Sequence, residues 1–237
     1  MNQYKSSSQI KSLAKGQLLG KYPTVIGAFL IMQLTSLMLS GFSAIFVDTY
    51  TWYGLIIDYL VSFIISVFMG ILWVGQTYIY LNISCGRTCK ASDIFYGFNQ
   101  HTDKALLLQL IQSAIFVACY LPASILLHIS NDDISWILPI CIAVIISLVL
   151  MCYFYLAFSL TFYLLLDFPD YSVKQILSLS IKIMKGHKAR LFYIMVSFLP
   201  LMMLGFLSCG IGLLWVIPYL YATMTNFYLD LMRNRRA

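Results

Sequence analysis

The chain has 237 residues, of which 61% are hydrophobic and only 10% charged, with a formal net charge of +6 and a mean hydropathy of +0.85. A water-soluble domain carries about 25% charged residues, so the composition excludes that class and predicts an all-α polytopic membrane protein over residues 1–237. The positive balance does not point to nucleic acid, because the basic residues flank apolar runs, where they orient spans and attract anionic lipid head groups.

The chain begins with about 22 polar or amphipathic residues and shows no small-residue cleavage pattern, so the first apolar run reads as a retained span and not as a signal peptide. Within that opening segment Ile10, Leu13, Ala14 and Leu18 share a helical face opposite Lys11 and Lys15. Apolar runs then follow at approximately 23–47, 53–83, 105–129, 136–166, 191–208 and 212–232. About 20 helical residues cross a bilayer core, so the pattern predicts six transmembrane helices. The second and fourth runs are long enough to tilt or to project beyond the hydrocarbon. The fifth is short and contains Leu199-Pro200-Leu201, which predicts a bend, and Ser208-Cys209-Gly210-Ile211-Gly212 predicts a tight reversal into the sixth.

All 15 Lys and Arg residues lie on alternate connections. Lys5, Lys11, Lys15 and Lys21 precede the first run; Arg87, Lys90 and Lys104 separate the second from the third. Lys174, Lys182, Lys185, Lys188 and Arg190 separate the fourth from the fifth, and Arg233, Arg235 and Arg236 close the chain. The connections near 48–52, 130–135 and 208–212 carry none. Short cytoplasmic loops retain Lys and Arg, so both termini are expected in the cytoplasm.

The basic segments also read as amphipathic. Ser172 and Gln175 fit a capping box, and Val173, Ile176, Leu177, Ser180, Ile181 and Met184 share one face, opposite Lys174, Ser178, Lys182 and Lys185. That is the pattern of a helix lying in the interface with its lysines toward head groups; Lys11, Lys15, Lys174, Lys182 and Lys185 are the expected head-group contacts. Residues 92–98 form a third, shorter candidate. Ile10, Ile94 and Ile181 are separated by 84 and 87 positions, an interval consistent with three units, 6–83, 92–167 and 171–232, each an interfacial helix followed by a hairpin. Units of one orientation differ from the inverted repeats of many secondary transporters.

Chemistry-bearing residues are few. The nine acidic residues are all Asp. Asp93, Asp103, Asp133 and Asp170 stand just before helical runs, where a carboxylate caps free N–H groups. Asp48 and Asp132 fall in loops, and Asp167 marks the end of the fourth run before Pro169. Asp58 lies within the second run near its outer end, either as a solvated interfacial carboxylate or as a coupling group. Asp230 can pair with Arg233 at i+3. It also extends a polar stripe of Tyr219, Thr223 and Asn226. With Gln76, Tyr80, Gln109 and Gln112, that stripe predicts either a polar cavity open to the cytoplasm or interhelical hydrogen bonds that lock the bundle. Tyr153, Phe154, Tyr155, Phe158, Phe162 and Tyr163 make the fourth run aromatic, for packing or for an amphiphile. The six cysteines form no disulfide framework, and Cys85 with Cys89 lacks partner ligands for a metal. No hydrolase, zincin or Walker pattern occurs around His101, His128 or His187. The expectation is a protein without catalytic residues or a cofactor, which binds or moves a lipid or other amphiphile or serves a membrane-protein partner. The alternative is an ion- or proton-coupled carrier using Asp58 or Asp230.

Four stretches carry a family likeness: 184–192 (Met-Lys-Gly-His-Lys-Ala-Arg-Leu-Phe), Ser197-Phe198, 210–219 (Gly-Ile-Gly-Leu-Leu-Trp-Val-Ile-Pro-Tyr) and Phe227-Tyr228-Leu229-Asp230. They resemble the bacterial integral-membrane family known as domain of unknown function 975, found mainly in Gram-positive organisms. That resemblance implies a membrane fold and assigns no activity. More distantly, the layout is similar to the membrane region of some glycerophosphodiester phosphodiesterases, which implies a lipid-related setting.

Overall fold

The computed structural model describes residues 4–46, 51–130 and 134–236, and it is helical throughout, with no strand among them. Asp48, Asp132 and Asp133 lie outside the described residues. The helices are α1 (Ser7–Leu18), α2 (Tyr22–Phe46), α3 (Trp52–Ser84), α4 (Tyr96–Asn99), α5 (Thr102–Ile129), α6 (Ile137–Phe158), α7 (Thr161–Asp167), α8 (Val173–Met184), α9 (Lys188–Val196), α10 (Leu199–Leu207) and α11 (Leu213–Arg236). Short 3₁₀ turns, Ala91–Phe95 and Ile134–Trp136, lead into α4 and α6.

Five stretches are long and apolar enough to cross a membrane: Tyr22–Gly41, Trp52–Ser84, Thr102–Ile129, Ile137–Asp167 and Lys188–Leu207. The expected sixth, α11, has the length but not the apolarity. Its packing supplies the reason. From Ala222 to Phe227 every side chain of α11 is buried, as are Tyr228 and Asp230 to Met232, because α1, α2, α3 and α10 surround it. A helix enclosed by protein can carry Thr223, Thr225, Asn226 and Asp230, whereas polar groups on a lipid-facing surface cost free energy. The helices whose outer faces are bare read differently: α2 exposes Leu34, Leu37 and Met38, and α6 exposes Leu138, Ile145 and Leu148.

Two apolar runs are broken. The fourth divides at Ser159, whose hydroxyl turns back to the Leu156 carbonyl at 3.0 Å. The fifth divides at Ser197-Phe198, and Pro200 then sits in the first turn of α10, where its missing N–H has no cost. The chain reverses into α11 through Cys209 (φ 53°) and Gly210 (φ 83°), as the small-residue turn predicts.

The four basic segments meet at one end of the bundle. Arg190 donates to the Lys5 carbonyl at 2.5 Å, Lys21 Nζ to the Arg87 carbonyl at 3.5 Å, and Lys104 Nζ to the carbonyls of Pro169 and Tyr171. Three amphipathic segments pack there. Ser6 and Gln9 form a capping box on α1, as Ser172 and Gln175 do on α8. In the middle segment the Lys90 N–H donates to Asp93 Oδ2 at 2.8 Å. The residue after each of these turns, Ile10, Ile94 or Ile176, is fully buried. Ile181, aligned with Ile10 and Ile94 in the sequence, is 43% exposed, and Ile176 takes the buried place after the third turn. Intervals between the three are thus 84 and 82 positions.

The middle segment is sunk furthest. A Cβ on Gly75 of α3 would lie 1.8 Å from the Ile94 carbonyl oxygen. Only glycine permits that approach. Gly70 serves α5 in the same way, since its missing Cβ would meet Gln109 Cβ at 2.5 Å.

Candidate functional site

Near the basic end, α3, α5, α6, α7 and α11 enclose a cavity of about 210 Å³. Trp73, Gln76, Thr77 and Tyr80 face it from α3, on successive turns of one face. Opposite them stand Gln109, Gln112 and Phe116 of α5. Tyr155 and Phe158 of α6, Ser159, and Phe162 and Tyr163 of α7 form the third side, and Tyr221 and Met224 of α11 close the fourth. Tyr155 is 40% exposed and marks the open rim, beside the lipid-type surface of α6.

The wall is aromatic and neutral. Tyr221 meets Trp73 edge-on with centroids 5.7 Å apart and Tyr80 at 5.8 Å. No Lys, Arg, His or Asp lines the cavity. Its amides divide into two kinds. Gln112 Nε2 donates to Thr161 Oγ1 of α7 at 2.9 Å, and Gln109 Nε2 reaches Ser66 Oγ of α3 at 3.5 Å, so these two also brace helices. Gln76 Oε1 and the Tyr80 hydroxyl are buried without a well-formed hydrogen bond, although the two side chains lie one turn apart and close enough to interact. Leaving a buried polar group unpaired costs about 1–3 kcal/mol, which a water or ligand in the cavity would offset; Ser84 Oγ and Arg190 Nη1 are likewise buried and unpaired away from it.

Four of the eight residues expected at a polar cavity are there: Gln76, Tyr80, Gln109 and Gln112. The other four are not. Tyr219 and Asn226 face α1 instead, Asp230 meets α9 and the residues before α1, and Thr223 bonds within α11. Tyr219 Oη donates to the Lys11 carbonyl at 3.3 Å, and Asn226 Nδ2 donates to Gln17 Oε1 at 2.6 Å. Asp230 pairs not with Arg233 but with Arg190 of α9, at 2.6 Å, and accepts from the Lys5 N–H at 3.4 Å. Thr223 Oγ1 returns to the Tyr219 carbonyl at 2.7 Å. This polar stripe helps to seat α1. It satisfies an amphipathic helix that lies across α11, which is why polar residues recur there at helical spacing.

Of the expected head-group lysines, Lys15, Lys174, Lys182 and Lys185 are exposed. Lys11 is a correction: it turns inward over the Phe198 ring, 4.6 Å from its centroid, and Nζ donates to the Ser197 carbonyl at 3.4 Å. That burial lowers its pKa. Asp58 is half-buried on α3 and takes no part in the cavity wall. Asp167 accepts from the Tyr228 hydroxyl at 2.5 Å. Among the described residues no group of three His, Cys, Asp or Glu could hold a metal ion.

Sequence reasoning missed Trp73 and Tyr221. Trp73 lies one turn before Gln76 on the same helical face, a detectable signal. Tyr221 lies off the Tyr219–Asp230 stripe and carried none.

Fold and cavity together define a class: an all-α protein with five membrane-length apolar stretches around an enclosed helix and an uncharged aromatic pocket. The chain belongs to the family described as protein of unknown function (DUF975), whose model matches residues 1–235. No curated protein and no solved structure matches it, so the distant likeness to glycerophosphodiester phosphodiesterase membrane regions gains no support.

Proposed function

We propose that this protein is a non-enzymatic inner-membrane protein that holds one end of a lipid or other amphiphile in the aromatic cavity. In this reading α11 is a sixth span shielded by its neighbours, both termini are cytoplasmic, and the protein has three units of interfacial helix plus hairpin. The meeting of all four basic segments at one end supports that orientation. The turns before Ile10, Ile94 and Ile176 support the repeat. Exposed Lys15, Lys174, Lys182 and Lys185 then face anionic head groups, each contributing about 1 kcal/mol near the surface.

One observation carries the binding role: a cavity of about 210 Å³ with Gln76 and Tyr80 unpaired on its wall. At ~30 Å³ per water the space holds about seven waters, too little for a whole lipid and enough for its polar end and first carbons. The remainder of the chain would leave past Tyr155 toward the apolar flank of α6. Coupled carriage through Asp58 or Asp230 has less support, since neither lines the cavity and Asp230 is engaged by Arg190.

The test is native mass spectrometry of protein extracted in polymer discs without detergent. The wild-type protein should retain a discrete amphiphile mass, and Ser159→Phe, which fills the cavity, should lose it, whereas Ser159→Ala, which removes only the turn-closing hydroxyl, should keep it. Equal retention by all three, or retention by none, would overturn the reading.

A further inference from the structure

We infer that the end of the amphiphile held in this cavity is a hydrogen-bond donor without negative charge, an ammonium or a hydroxyl, and that the cavity rejects anionic head groups. The inference rests on the binding role proposed above and specifies its ligand chemistry.

Two observations converge. The unpaired atoms on the wall, Gln76 Oε1 and the Tyr80 hydroxyl, are an acceptor and an acceptor-capable group, so the complementary ligand supplies hydrogens. Trp73, Tyr80 and Tyr221 form a contiguous ring cluster around them, with Tyr221 5.7 Å from Trp73 and 5.8 Å from Tyr80. Ring faces are electron-rich; they attract a cation and repel a carboxylate or phosphate. That holds however the Gln76 amide is turned.

An anion entering here would give up its water with no Lys, Arg or His on the wall to replace it, a transfer that is strongly disfavoured. The chain therefore separates two recognitions. Its exposed lysines suit anionic head groups at the surface, whereas its interior suits the opposite polarity.

The experiment uses the full chain in discs of zwitterionic lipid, with Trp52, Trp136 and Trp215 replaced by Phe so that Trp73 alone fluoresces. Three probes of equal length are added, ω-bromoalkyl amine, alcohol and carboxylate, at a pH where the amine is protonated and the acid ionised. Bromine quenches Trp73 on contact. The inference predicts saturable quenching by the amine or the alcohol and binding about tenfold or more weaker for the carboxylate. Whichever of the first two binds more tightly identifies an ammonium or a hydroxyl as the native donor. Gln76→Leu and, as a milder change, Tyr80→Phe should reduce the preference for donor over acid. Carboxylate binding equal to or tighter than the others would overturn the inference and leave the binding role standing. Absence of saturable quenching by all three would instead remove the binding role.

Discussion

Asp230 and Arg190 show how a charge can sit buried in an apolar bundle as one half of an ion pair. The Asp230 side chain is 3% exposed and meets Arg190 at 2.6 Å, while Arg190 also donates to the Lys5 carbonyl and stacks near Tyr4 and Phe227. The pair pins the start of the chain to α9 and α11. Breaking a buried pair leaves an uncompensated charge and costs about 3–5 kcal/mol. Asp230→Asn and Arg190→Gln should each lower the melting temperature clearly, and the double variant should lose less than the sum of the two. Strict additivity would show that the pair is not a coupled unit. His187, beside this cluster, is edge-on to Tyr4 at 4.7 Å. Burial, then the Arg190 charge, lowers its pKa from 6.5. A group whose folded pKa is lowered prefers to be neutral in the folded state. Stability is therefore full above the unfolded value of about 6.5 and declines as pH falls through the lower folded value. A wild-type melting temperature that falls below about pH 6.5, and falls less in His187→Gln, is the expected result. The Asp230 partner was not legible because 40 positions separate it from Arg190, and helical spacing reports only neighbours three or four residues away.

At the scale of elements, α1, the 91–99 segment and α8 dock through shape as much as through polarity. Gly75 accommodates the Ile94 carbonyl at a distance no side chain allows. Gly75→Ala should therefore disrupt the docking of the middle segment and sharply lower yield or melting temperature. Gly16 is exposed, and a methyl added there would meet nothing within 4 Å, so Gly16→Ala should be neutral or stabilise α1 by up to about 1 kcal/mol. Thermal melts of the two variants in parallel check both directions. A tolerated Gly75→Ala would show that the close approach is not required. The Ser172–Gln175 capping box was legible, since it depends on residues three positions apart. The buried register of α8 was not. Ile176, Ser180 and Met184 of the expected face are buried, but Ile183 is buried where Ile181 is exposed; the apolar residues from Ile183 round to Ile181 span an arc of about 160°, and hydrophobicity alone does not choose which edge of it meets α6 and α7. The division between α6 and α7 escaped for a related reason: an unbroken apolar run hides a turn that Ser159 closes with its own hydroxyl.

For the whole molecule, the topology reading rests on charge segregation, because charge position along the chain is a global signal that does not need contacts. Its test uses cysteine. Cys85 is exposed at the basic end, and Cys209 is exposed at the reversal before α11. In single-cysteine variants on intact cells, a membrane-impermeant maleimide should label Cys209 and spare Cys85, and inverted vesicles should give the reverse pattern. Labelling of both from one side would contradict a six-span reading. The site was half legible. Polar residues stand out in apolar helices, which revealed Gln76, Tyr80, Gln109 and Gln112. Whether such residues face a void or another helix depends on tertiary packing, and this is where Tyr219 and Asn226 proved to seat α1 and Asp230 to pair with Arg190. An experimental structure in native membrane discs shows directly whether Gln76 and Tyr80 meet a ligand. The expected result is elongated non-protein density entering past Tyr155 and ending within hydrogen-bonding distance of Gln76 and Tyr80. A collapsed pocket, with Gln76 and Tyr80 bonded to protein groups and no density between Trp73 and Tyr221, would contradict it.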